Sequence, residues 1–338
     1  MKRLEVLCLT LILLMVSFRY SEELWKTPSD WPEPVYNFKK NPLDSATVQL
    51  GRVLFYDPVL SADSTVSCAS CHSPYNAFTH VDHALSHGIK DRIGTRNSPV
   101  LVNLAWGKSF MWDGAVNHLD MQALAPLENH LEMDETLPHV LQKIKLQAKY
   151  KRLFKAAFRT ETITGERFLK AISQFMLTLV SADSKYDQVI RGEKGISFTE
   201  QESNGYLLFK EHCASCHTEP LFTNQTFQNN GLAPDSLLKD AGRMNITRKS
   251  SDSLKFKVPT LRNIERSAPY MHDGRYRSLQ MVLFHYSSDV HSSVTLAPEL
   301  RGGINLTEAD KRNLIAFLKT LTDNTFLNNK QFQYPRTF

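Results

Sequence analysis

The stretch Cys68-Ala69-Ser70-Cys71-His72 recurs letter for letter as Cys213-Ala214-Ser215-Cys216-His217. Two cysteines separated by two residues and followed at once by histidine form the attachment pattern of c-type haem. At this spacing the thiols can add to the two vinyl groups of one porphyrin, and the histidine is carried to the iron as proximal ligand. A four-cysteine zinc site and a dithiol redox pair are the rival readings. Two identical copies, each with histidine in the fifth place, favour haem. No cysteine is left over for another pairing, because the fifth, Cys8, lies in the N-terminal apolar run.

Outward from these motifs the chain repeats itself. Gly51-Arg52-Val53-Leu54-Phe55 before the first resembles Gly205-Tyr206-Leu207-Leu208-Phe209 before the second. Downstream, Pro99-Val100-Leu101-Val102-Asn103 is echoed by Pro259-Thr260-Leu261-Arg262-Asn263, and Met111-Trp112-Asp113-Gly114 by Met271-His272-Asp273-Gly274, both at an offset of 160 residues. A shared internal spacing of this kind marks a duplication.

The constant offset exposes a difference between the halves. Residues 278–286 read as a helix with Leu279, Val282, Leu283 and Tyr286 on one face. The same offset carries Tyr286 onto Pro126, which has no side-chain donor atom. The expectation is a second haem capped by Tyr286 and a first haem whose distal face is open to a small ligand. An open iron suits peroxide chemistry, whereas a six-coordinate iron suits electron storage and transfer.

The remaining elements are mainly helical. Thr199 and Glu202 form a capping-box pattern, as do Thr307 and Asp310, the latter ahead of an apolar stripe at Leu314, Ile315, Phe317, Leu318 and Leu321. Residues 168–180 read as a buried helix, and strand-like alternation is scarce. The expected fold is mainly α, with two cytochrome c-like haem domains related by duplication and long connecting loops. Gly and charge content at 191–195 places the boundary there, giving domains at 22–192 and 193–338.

A length of 338 residues, 42% of them hydrophobic and 22% charged, supports two cores and excludes a disordered or fibrous chain. The formal charge of +5 comes from scattered basic residues, which gives nucleic-acid binding no support. It suits the docking of an acidic electron donor. Met1-Lys2-Arg3 and the apolar run at 4–17 resemble a secretory signal, assigned to residues 1–21, with an uncleaved anchor as the alternative. The run is short for a membrane span. Export agrees with covalent haem attachment, and the expected location is periplasmic.

Residues 50–286 resemble the bacterial di-haem cytochrome c peroxidase family, which also contains the methylamine-utilisation protein MauG. The resemblance rests on Leu54-Phe55-Tyr56-Asp57-Pro58, both Cys-Ala-Ser-Cys-His motifs, Arg96-Asn97-Ser98-Pro99, Trp112-Asp113-Gly114, Phe256-Lys257-Val258-Pro259-Thr260-Leu261-Arg262-Asn263 and Ala268-Pro269-Tyr270-Met271-His272-Asp273-Gly274. It implies that the haem on His72 is peroxidatic and that the haem on His217 receives electrons. Trp112 matches the family's tryptophan between the haems. Glu132 matches its distal glutamate, a general acid/base for O–O cleavage. Gln122 and Pro126 match residues lining the same pocket. A calcium ion between the domains is implied at Asn97, through its side-chain oxygen, and at the carbonyls of Ser267 and Pro269, Ser267 standing where the family usually has Thr.

Two departures accompany the resemblance. The peroxidases proper usually place Met where Tyr286 stands, whereas MauG has Tyr; a phenolate is the harder ligand and favours oxidised iron. His285 is the neighbouring candidate. Many of the peroxidases also have a histidine that caps the peroxidatic haem at rest; His87, ahead of Gly88, could supply it, although a length difference before Arg96-Asn97 shifts the match, and His80 and His83 are close by. The expected activity is reduction of hydrogen peroxide with electrons from a small soluble cytochrome c or cupredoxin. The alternatives are a MauG-like oxidase that modifies a partner protein and a non-catalytic di-haem electron carrier. The family commonly forms homodimers.

Overall fold

The computed structural model describes residues 24–335 except residue 26; the expected signal segment at 1–21 lies outside the described residues. The fold is mainly helical. Among the described residues the paired strands are only Phe227–Gln228 and Phe256–Lys257, antiparallel to each other.

Each half is built on one crossed pair of helices. In the first, α1 (Ser45–Tyr56) starts where the Asp44 carboxylate accepts from the Thr47 N–H at 3.0 Å. Its apolar positions Leu50, Val53 and Leu54 follow helical spacing and are buried. They pack against α2 (Gly165–Leu177), which buries Phe168, Ile172 and Phe175. In the second half, α3 (Glu200–His212) crosses α5 (Glu308–Lys319), with α4 (Leu279–Ser288) between them in sequence. Both capping boxes read from the sequence are present, at Thr199 with Glu202 and at Thr307 with Asp310.

A glycine sits at each crossing because the helix backbones touch there. A Cβ on Gly51 would lie 1.8 Å from the Ala171 carbonyl oxygen, and one on Gly205 would lie 2.0 Å from that of Asn313. Neither position has room for a side chain.

The offset found in the sequence holds in the backbone. Asn103 and Asn263 each adopt the left-handed conformation ahead of a 3-10 turn, Met111 and Met271 share positive φ, and the bridge Phe110 to Val116 recurs as Tyr270 to Tyr276. His118 and Ser278 then cap corresponding helices. From that point the halves diverge. In the second half α4 runs unbroken for 10 residues, whereas in the first the same stretch splits into Leu119–Gln122 and Leu124–Glu128. Pro126 lacks the N–H that a continuous helix needs there.

Two apolar cores result, one per half. The expected boundary between residues 192 and 193 lies slightly beyond the point where the cores separate, since Tyr186 already packs in the second. The chain then returns: Phe326, Leu327 and Phe332 join the first core, with Phe326 6.0 Å from Phe78, just beyond the first motif. Tyr56 donates a 2.6 Å hydrogen bond to the Phe332 carbonyl. Between the halves, Arg96 bridges Asp113 at 2.6 Å and Asp240 at 2.6 Å, and the Asn97 N–H donates to the His272 carbonyl at 2.7 Å.

Candidate haem sites and the residues between them

At each motif a short turn presents both cysteines and leads into the histidine. In the first, Cys68–Cys71 is one helical turn, started by reciprocal contacts of Ser67 and Ser70. The His72 N–H closes the turn on the Cys68 carbonyl at 3.0 Å, and the His217 N–H closes the second on Cys213 at 2.9 Å.

The imidazoles are oriented from behind. His72 Nδ1 lies 2.7 Å from the Phe78 carbonyl, and His217 Nδ1 lies 3.1 Å from the carbonyls of both Phe222 and Pro259. A carbonyl only accepts, so Nδ1 carries the proton and the Nε2 lone pair faces forward, the tautomer of a metal-ligating histidine. Burial keeps both rings neutral, with His72 pushed down to about 4 and His217 lowered. Burial likewise pushes the Cys68 and Cys213 thiols up to about 12, far from the thiolate that dithiol exchange needs. The motifs belong to separate cores, so their four sulfurs cannot share a zinc ion.

A cavity of about 310 Å³ opens in front of the second motif and extends toward the first half. That volume falls within the roughly 300–1,000 Å³ of cofactor sites. Cys213, Cys216 and His217 line it, and so does Tyr286, projecting from α4. Burial pushes the Tyr286 hydroxyl up to about 12, opposed by a hydrogen bond with the Asn230 side chain. His285 points elsewhere: its Nε2 faces the Asn230 carbonyl at 3.0 Å, and it does not line the cavity. Trp112 and Gln122 line the end toward the first half. The Trp112 indole donates to the Asn97 carbonyl at 2.8 Å, and Gln122 Nε2 lies 3.8 Å from Met111 Sδ.

His72, Pro126 and Glu132 stand apart from that cavity, around the first motif. The Met133 N–H donates to the Pro126 carbonyl at 3.2 Å, which sets Glu132 beside the broken helix. Burial holds the Glu132 carboxyl above its ordinary value of 4.5, against a 3.0 Å hydrogen bond from Asn129 Nδ2. Its charge raises both Cys68 and Cys71, so it lies within electrostatic reach of the motif. A carboxyl held above its ordinary value keeps a proton more readily than a solvated glutamate, which suits it to give a proton as well as take one. Asn129 carried no signal in the sequence, and neither did Asn230.

His80, His83 and His87 form a ladder beside this site. Their rings stack at centroid separations of 5.1 Å and 4.1 Å. The Cys71 thiol faces the His87 carbonyl at 3.5 Å, the charge of His80 bears on His72, and His80 Nδ1 is buried without a hydrogen-bond partner among the described residues. Gly88 lets this loop press on the glutamate segment, since a Cβ there would lie 2.1 Å from the Leu131 carbonyl oxygen.

Asn97, Ser267 and Pro269 all border the large cavity. Asn97 Nδ2 is committed to the Ala84 carbonyl at 2.9 Å, and its Oδ1 accepts no hydrogen bond among the described residues. The Ser267 and Pro269 carbonyls accept no hydrogen bond among the described residues. Three uncharged oxygens of this kind suit a hard cation.

Duplicated helix pairs, each accompanied by a haem-attachment turn, define a di-haem c-type cytochrome, and comparison with known proteins narrows the class. A family profile described as di-haem cytochrome c peroxidase matches residues 45–195. The chain is 35% identical to the methylamine utilization protein MauG of Methylorubrum extorquens, over 86% of its own length and 82% of that protein's. It is 34% identical to the cytochrome c551 peroxidase of Nitrosomonas europaea, over 86% and 84% respectively. A crystal structure of a MauG-like protein associated with microbial copper homeostasis superposes with a TM-score of 0.83 at 31% identity, covering 92% of this chain and 99% of that one.

The chain belongs to the di-haem cytochrome c peroxidase family, and it is a peroxidase oxidoreductase. Membership implies two covalently bound haem c groups, and the residues fit them: paired thiols, a forward-facing Nε2 behind each site and an apolar cavity at the second. No helix among the described residues is long and apolar enough to cross a membrane.

Proposed function

We propose that the protein reduces hydrogen peroxide to two waters in the periplasm, drawing two electrons singly from a small soluble cytochrome c or cupredoxin. The observation that carries this reading is the buried carboxyl of Glu132, held above its ordinary value beside the first motif, in a half whose distal helix breaks at Ala123, just ahead of Pro126. Haem iron supplies peroxide binding and electron transfer. Glu132 takes the proton from one peroxide oxygen and delivers it to the departing one, so that water leaves rather than hydroxide. Asn129 holds the carboxylate in place and Pro126 shapes the space around the substrate, while Gln122, expected in the same pocket, lines the first-half end of the large cavity. Pro126 offers the first iron no side-chain ligand, whereas Tyr286 closes the second site. Trp112, tied to Asn97, stands on the electron route between them. Asn97 Oδ1 and the Ser267 and Pro269 carbonyls would hold a calcium ion that steadies this junction.

Tyr286 supports a second reading, a MauG-like oxidase acting on a partner protein. It lines the cavity at the place the sequence alignment of the two halves assigned to the second distal ligand. Stopped-flow mixing of the di-ferric protein with peroxide, repeated after one-electron reduction, separates the two. Reaction only after reduction supports the peroxidase with a histidine cap. Immediate reaction of the di-ferric form, with a donor cytochrome turned over slowly, supports the oxidase. Silence in both states would sink both readings.

A further inference from the structure

Lys257 presents a charge the site has so far left without a purpose. Its backbone is clamped between the halves: it pairs through the short strand Phe256–Lys257, and its N–H donates to the Trp112 carbonyl at 2.7 Å. Two residues on, Pro259 holds the His217 imidazole. The side chain turns into the large cavity, where Nζ donates to the Ser109 carbonyl at 2.8 Å and lies 5.7 Å from the centre of the Phe110 ring.

Among the described residues lining that cavity, Lys257 is the one lysine or arginine. The one carboxylate lining it, Glu299, exerts no influence on Lys257; its charge falls on Cys216 instead. Burial alone pushes the ammonium down to about 8, with no opposing charge. An ammonium has three donors, and here one of them is used. A buried, unpaired charge is too costly to keep without an anion to face it.

From this geometry we infer that Lys257 is the counter-ion of a haem carboxylate at the second site. A porphyrin in this cavity brings carboxylates into a space that otherwise holds one fixed cation. The pairing is set by both halves at once, because Ser109, Phe110 and Trp112 belong to the first half and the lysine to the second. A cation so close to the haem favours the reduced iron, and Lys257 therefore acts as a positioning residue that raises the potential of the second haem. This inference rests on the presence of the haems and holds under either reading of the substrate.

The test is a spectroelectrochemical titration of the holoprotein with Lys257→Met, Lys257→Gln and Lys257→Arg, each checked for two covalent haems per chain. The expected result is a shift of at least tenfold in one haem's reduction equilibrium toward the oxidised form, about 59 mV for one electron. Met and Gln should show it, Arg should restore the native value, and the haem on His72 should move less. Equal potentials across all variants that load both haems would overturn the inference, as would a shift that Arg does not rescue. If Lys257→Met fails to load both haems, the comparison of Gln with Arg decides by the same criterion. Loss of peroxide turnover without any change in potential would overturn this inference and leave the reading of the substrate as it stands.

Discussion

Glu132 concentrates the chemistry proposed for the first site in one carboxyl. Burial raises its pKa above 4.5, and Asn129 offsets only part of that. A base so shifted is filled at a higher pH than an ordinary glutamate. The acid limb of kcat/KM for peroxide should accordingly lie above 4.5, because that ratio reports the free enzyme. Glu132→Gln should keep both haem spectra while turnover falls by about 10²–10⁴-fold and the limb disappears; undiminished turnover would remove Glu132 from the mechanism. Tyr286→Phe should alter the ligand-field bands of the second haem alone. Identical bands would reject Tyr286 as its ligand. In the sequence Glu132 was visible only through family resemblance, since no periodicity distinguishes a carboxylate in a loop. Tyr286 was legible from helical spacing together with the repeat offset.

The helix pairs hold the two attachment turns in place, and each pair depends on a glycine at its crossing. With 2.0 Å between a Gly205 Cβ and the Asn313 carbonyl oxygen, Gly205→Ala must push α3 off α5. Overpacking of this kind costs about 1–3 kcal/mol. Chemical denaturation monitored at the second haem should show the loss, and a midpoint equal to the native one would mean that the helices separate freely. The capped helices were readable because capping boxes and apolar stripes are local patterns. Pro126 was foreseen only as a missing ligand. That it also splits the helix follows from the absent N–H, which acts on backbone geometry as well as on chemistry.

At the scale of the whole molecule, Arg262 ties distant segments together. It is fully buried, donates to both oxygens of Asp187 at 2.9 Å and 2.8 Å, and stacks over Trp31 with 4.5 Å to the ring centre. Burial alone would raise Asp187, but Arg262 overrides it and holds the carboxyl below its ordinary 3.8. The resulting stabilisation is complete above that value and is lost as pH falls through the lower folded-state value. Asp187→Asn should destabilise the protein by about 3–5 kcal/mol, because it leaves the guanidinium buried without its partner. A thermal scan of the holoprotein checks this, and an unchanged Tm would show that the Pro220 carbonyl, which accepts from Arg262 Nε at 2.9 Å, and the ring of Trp31 suffice to hold the charge.

The sequence by itself determined the two covalent sites, the duplication and the inequality of the halves, because all three are written in short-range spacing and in one constant offset. Only the tertiary structure decided that Tyr286 rather than His285 faces the cavity, since adjacent residues on a helix differ by a rotation that depends on what packs against it. It also decided that the chain's last described residues return to the first core, that three histidines stack beside Cys71, and that Lys257 brings one cation into the second haem's cavity. Each of these is a contact between segments far apart in the chain or within an irregular loop, where no local period records the partner. The twin Cys-Ala-Ser-Cys-His motifs are identical as letters, and the environments that make them different are assembled by the rest of the fold.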